Sequence, residues 1–202
     1  MATDGSNPGP GPRARSRPRN VLLFSGHMID VPGRPAARFP SRAVPIADRA
    51  IATKLDELQA GPEDVAICGG ACGGDLLFAL AALQRGAQLE MYLPLDEATF
   101  LASSVDFAGS EWRARFEQAK AQSLVQVLPA DHCNPATGEN AYEANNRRML
   151  DRARAFADAR LQFICLWNGA AGDGPGGTAG MMREVQRLGG AAHWLDTRSL
   201  WN

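Results

Sequence analysis

Short apolar runs recur along the chain at Val21-Leu22-Leu23-Phe24, Val65-Ala66-Ile67-Cys68, Leu89-Glu90-Met91-Tyr92-Leu93, Leu124-Val125-Gln126-Val127-Leu128 and Leu161-Gln162-Phe163-Ile164-Cys165-Leu166-Trp167, with a last one at residues 192–195. Runs of this length, apolar at nearly every position, predict strands covered on both faces. The stretches between them change period. Ile51, Leu55 and Leu58 fall at i, i+4 and i+7, and Leu76, Leu77, Leu80 and Leu83 form a second stripe. Trp112, Phe116 and Ala119 form a third, Met149, Leu150, Ala153 and Phe156 a fourth, and Met181, Met182, Val185 and Leu188 a fifth. These spacings predict amphipathic helices. Strand alternating with helix predicts an α/β domain: a three-layer, Rossmann-like parallel sheet with helices on both faces.

In such sheets ligands lie beyond the carboxyl ends of the strands, so the residues after each run carry the functional interest. Ser25-Gly26-His27 follows the first, and Gly69-Gly70-Ala71-Cys72-Gly73-Gly74-Asp75 follows the second. Gly174-Pro175-Gly176-Gly177-Thr178 follows the fifth. A glycine-rich turn from strand to helix offers backbone NH groups at the positive end of a helix dipole, which suits a phosphate. Neither turn matches GxGxxG or GxxxxGK[ST], so no dinucleotide or P-loop site is expected. Ser25 and Gly26 are candidate ligand contacts, and His27 a candidate proton or charge donor. Thr178 suits an N-cap or a phosphate contact. Asp75 reads either as a helix cap or as a partner for a ribose hydroxyl. Asn145-Asn146-Arg147-Arg148 opens the fourth helical pattern, where the amides are candidates to read a base edge and Arg147 to clamp a phosphate, the alternative being a capped, solvated helix start. Arg34, Arg38 and Arg42 lie in the long loop after the first strand, where at least one is expected to meet an anion. Residues 96–109 read as a lid over this rim, and Trp112 as core.

Composition narrows the partners. A net charge of −1 over 202 residues removes the broad basic surface of a duplex-binding protein, and no nucleic-acid partner is expected. Residues 1–19, rich in Pro, Gly and Arg, read as a disordered tail preceding a single domain over 20–202. No secretory segment or membrane span is read, which places the chain in the cytoplasm. Cys68, Cys72, Cys133 and Cys165 are too dispersed for a zinc ribbon, and neither a metal nor a cofactor is expected.

The combination of Ser25-Gly26 at a strand end, the turn Gly69-Gly70-Ala71-Cys72-Gly73-Gly74-Asp75 and the late Pro175-Gly176-Gly177-Thr178 resembles the SLOG superfamily over roughly residues 20–197. That Rossmann-like group includes the LOG nucleotide phosphoribohydrolases, the DNA-processing DprA proteins and nucleotide-sensing domains. The first turn looks closest to the DprA type and the second to the LOG type. LOG enzymes carry PGGxGTxxE, whose glutamate serves in cleaving the base from ribose phosphate. Counted from Pro175 that position falls on Arg183, and counted from Gly177-Thr178 it falls on Met181. The resemblance therefore implies binding of a nucleotide-derived small molecule in sensing or signalling, through loop ordering or formation of a homodimer. Phosphate would sit at Gly69 to Gly74 and Gly176 to Thr178, with ribose or base near Ser25 and Asp75. The alternative is a nucleoside 5′-monophosphate N-glycosidase using a displaced carboxylate such as Asp30, Asp96 or Glu184.

Overall fold

Residues 17–129, 140–170 and 177–201 are described by the computed structural model. Their six strands are β1 (Asn20–Gly26), β2 (Val65–Cys68), β3 (Gln88–Leu93), β4 (Ser123–Val127), β5 (Arg160–Trp167) and β6 (Ala191–Asp196). All pair in parallel, in the order β4-β3-β2-β1-β5-β6. The chain builds outward from β1 to β4 and then returns to lay β5 and β6 on the other side. Strand order thus reverses between β1 and β5.

The helices are α1 (Val44–Glu57), α2 (Gly74–Gln84), α3 (Glu97–Ser104), α4 (Ser110–Lys120), α5 (Ala141–Arg154), α6 (Thr178–Arg187) and α7 (Thr197–Trp201). Side chains alternate across a strand, and β1 divides accordingly. Leu22 and Phe24 enter a core with Ala47, Ile51 and Leu55 of α1, most of α2, and Trp112 and Phe116 of α4. Val21 and Leu23 enter a second core with Met149, Leu150 and Ala153 of α5 and Met181 and Val185 of α6. Two cores on opposite faces require an apolar residue at every position of the central strand, which is why these runs do not alternate. The architecture is the expected three-layer Rossmann-like one, and Trp112 is core at 6% exposure.

Residues 96–109 fold as α3 and a 3-10 turn (Asp106–Ala108) instead of an open lid. Phe100, Leu101 and Val105 bury into the first core and anchor the segment. Residues 1–16 of the expected tail lie outside the described residues. Residues 17–19 depart from that expectation, because Arg19 donates to the fully buried Asp64 at 2.9 and 3.2 Å, and Arg17 pairs with Asp158. The backbone of Asn20 and its side-chain amide also donate to Asp64, as does Gly61 NH. A buried carboxylate needs such partners, and they fasten the start of β1. The loop after β1 closes through Asp30, which accepts from Arg38 NH and Phe39 NH at 2.9 Å, while Phe39 stacks on Trp201. Among the described residues no helix is long and apolar enough to cross a membrane.

Candidate functional site

A pocket of about 270 Å³ opens at the carboxyl ends of β1, β2, β3 and β5, at the point where strand order reverses. Of the residues singled out by sequence, Ser25, Gly26, His27, Gly69, Ala71, Asp75, Gly177 and Thr178 line it. Ser25 Oγ and Thr178 Oγ1 lie 3.0 Å apart, a bond joining the end of β1 to the start of α6. Thr178 is not the N-cap expected of it. That position belongs to Gly177, which brings no side-chain cap; Gly177 and Thr178 both line the pocket, which places the N-terminus of α6 there beside the paired hydroxyls.

The first glycine turn is built differently from an open cradle. Cys72 NH donates to Ser104 O at 2.8 Å and Gly74 NH to His27 O at 3.0 Å, while Ala71 NH donates to Asp75 Oδ2 at 3.3 Å. Gly73, at φ +104°, forms an antiparallel bridge with Met28. Gly74 NH, with Ile29 NH donating to Cys72 O at 3.3 Å, holds the loop after β1 against the start of α2, and Cys72 NH ties the turn to the end of α3. Gly70, Gly73 and Gly74 are buried and do not line the pocket. Asp75 lines the pocket and accepts from its own turn at Oδ2; it is not the N-cap of α2, which is Gly73. Burial pushes its carboxyl up to about 7, against the pull of NH groups from Ala71, Gly69 and Gly70. A carboxyl at that value is part-protonated at neutral pH.

His27 does not supply a charge. Burial, and then the nearby Arg38 guanidinium, lower it to about 4, and its Nε2 accepts from Asn168 NH at 3.2 Å. The ring is neutral, with its proton on Nδ1. Arg38 itself lines the pocket, whereas Arg34 pairs with Asp30 at 3.5 Å and Arg42 is exposed. Arg147 is exposed on α5 and does not line the pocket. The helix begins at Ala141, one turn earlier than the pattern suggested, and Asn145 and Asn146, four residues before the buried Met149 and Leu150, face inward with them and line the pocket. Gly176 and Cys133 lie outside the described residues.

Asn145 and Asn146, whose amides were candidates for a base edge, line the pocket, whereas sequence reasoning missed Asn140, Tyr142, Glu143, Met149, Phe100 and Trp167, which line it too. One signal was readable: Asn140 with Glu143 is a capping box, here formed, with Asn140 Oδ1 accepting from Tyr142 and Glu143 NH at 3.0 Å. Tyr142 in turn joins Ser104 Oγ at 3.0 Å, tying α5 to α3. The displaced carboxylates do not reach the pocket: Asp96 caps α3, Glu184 pairs with Arg187, and Asp30 closes its loop. Met181 is buried in the second core and Arg183 is exposed. Cys68 and Cys72 are buried thiols whose pKa burial raises, Cys72 to about 12, which leaves them poor nucleophiles. Among the described residues no cluster of three His, Cys, Asp or Glu side chains is arranged to hold a metal.

Fold and site together define a Rossmann-like α/β domain with a pocket of mixed polar and apolar lining at its switch point, a fold compatible with nucleotide binding. Among solved structures the chain is similar to DNA processing protein A (DprA) from Streptococcus pneumoniae, at 15% identity and a TM-score of 0.40, covering 86% of this chain and 58% of that one. It is also similar to DNA processing protein A from Helicobacter pylori, described for its single-stranded DNA binding mode, at 16% identity and a TM-score of 0.32, covering 90% and 78%. At these identities the likeness is one of fold. No protein-family model and no curated protein matches the chain.

Proposed function

We propose that the chain binds a nucleotide or nucleotide-derived small molecule in this pocket and serves as a sensing or signalling domain. The observation that carries the reading is the Ser25–Thr178 hydroxyl pair beside the N-terminus of α6, where Gly177 provides no side-chain cap, at the reversal of strand order. Two hydroxyls and a helix N-terminus suit a phosphate, and Arg38 adds a cation to the same pocket. The first glycine turn then serves as scaffold, holding the loop that carries Arg38. A thermal-shift screen of nucleoside mono-, di- and triphosphates tests it. Ligand at a hundred times its Kd stabilises by about 2.7 kcal/mol, and Ser25→Ala with Thr178→Val should abolish that rise. A panel in which nothing stabilises the protein overturns the reading.

One observation favours N-glycosidase chemistry as a second reading. Asp75 lines the pocket with its pKa pushed up to about 7, in the range a general acid needs at neutral pH. Incubation with nucleoside monophosphates should then release free base, and Asp75→Asn should stop it. Intact nucleotide after prolonged incubation removes this reading and leaves the binding one.

A further inference from the structure

We infer that Asn145 reads a hydrogen-bond donor on the base of the bound nucleotide, so that the site prefers bases carrying an exocyclic amine; this rests on the nucleotide reading above. Asn145 lines the pocket yet is only 3% exposed. Its Nδ2 donates to the Tyr92 carbonyl at 2.7 Å, which fixes the amide's orientation because a carbonyl only accepts. Oδ1 is left as a buried acceptor with no hydrogen-bond partner. Native structures seldom leave such an atom unmatched, and a ligand donor is one way to match it.

Position decides which donor. Asn145 is tied to β3, whereas the Ser25–Thr178 pair sits at the end of β1. The order β3-β2-β1 separates them by two strand spacings, roughly 10 Å. With phosphate at α6, the ribose hydroxyls fall short of Asn145 and the far edge of the base reaches it. Tyr142, exposed and three residues before Asn145 on α5, lines the pocket as well and provides apolar surface for the base. An amine there donates to Oδ1. A carbonyl at the same position of the base sets two acceptors against each other.

Calorimetric titration of the full chain with AMP and IMP, CMP and UMP, and 2′-deoxy-AMP tests this. AMP and CMP should bind roughly tenfold or more tightly than IMP and UMP, with 2′-deoxy-AMP close to AMP. Asn145→Ala should level the amine preference, bringing the affinities of AMP and CMP together with those of IMP and UMP. That variant also loses the bond to Tyr92, so if it fails to fold, the wild-type series decides alone. Binding without an amine preference overturns the inference and keeps the nucleotide reading, as does a loss confined to 2′-deoxy-AMP, which assigns recognition to the ribose. No binding by any of the five overturns the inference; stabilisation by other nucleotides in the wider screen would then leave the nucleotide reading standing.

Discussion

At Gly73 the His27 carbonyl lies 2.7 Å, and Ile29 N 2.8 Å, from where a Cβ would stand, with φ at +104°. Gly73→Ala should therefore cost about 2–3 kcal/mol, whereas Gly33→Ala, at φ +78° in open space, should cost about 1 kcal/mol. Urea titration of the two variants compares them. His27 and Asp75 make a second pair, opposed in sign. His27 titrates near 6.5 when unfolded and near 4 when folded, so its contribution to stability falls as pH drops from 6.5 to 4. Asp75 titrates near 3.8 unfolded and near 7 folded, so its contribution falls as pH rises across that range. In the wild type the two slopes offset between pH 4 and 6.5. His27→Gln should leave a protein that loses stability with rising pH, and Asp75→Asn one that gains it, each by up to about 3 kcal/mol across the window. Urea midpoints at pH 4.5 and 6.5 check both. From sequence His27 read as a charge donor because a strand-end histidine looks solvated; its burial comes from a loop folded back by Asp30 and Gly73, which no local pattern reveals.

At the level of elements, β1 and α6 share the second core and are joined at the pocket by the Ser25–Thr178 bond, and α5 reaches the pocket through its first turns. A double-mutant cycle on Ser25→Ala and Thr178→Val should return a coupling of about 1 kcal/mol. Asn140→Ala removes the side chain that holds Tyr142 and Glu143 NH, and should cost about 1 kcal/mol of stability. It should also weaken ligand binding, since Asn145 lies one turn along. Chemical denaturation and ligand titration of this variant separate the two effects. The six strands were readable within a residue or two because each is a short, mainly apolar run between turn residues. The roles of Ser25 and Thr178 in one pocket followed from their places at strand and helix ends. The contribution of α5 was less legible, because its first turn, with Asn140, Tyr142 and Glu143, precedes the apolar stripe that marks the helix in the sequence. Asn145 lies four residues before Met149 on the buried face, and Arg147 falls on the solvent side. The placement of Arg38 depends on a loop fastened by Trp201, from the far end of the chain.

The whole molecule is fastened at its first strand. Asp64 is fully buried among donors from Arg19, Asn20 and Gly61; burial works to raise its carboxyl, and these bonds together hold it below the ordinary value. Asp64→Ala should cost about 3–5 kcal/mol by leaving Arg19 and the Asn20 amide without their acceptor, measured by equilibrium unfolding. In the wild type that contribution should fade as pH drops below about 4. The same first strand has a consequence for biosynthesis. Val21 pairs with Val65 on one side but with Leu161 on the other, so a nascent chain carries β1 with one open edge until β5 has left the ribosome. Nascent chains stalled at residue 129, with four strands made, should engage holdase chaperones and remain protease-sensitive, and those stalled well past Trp167 should not.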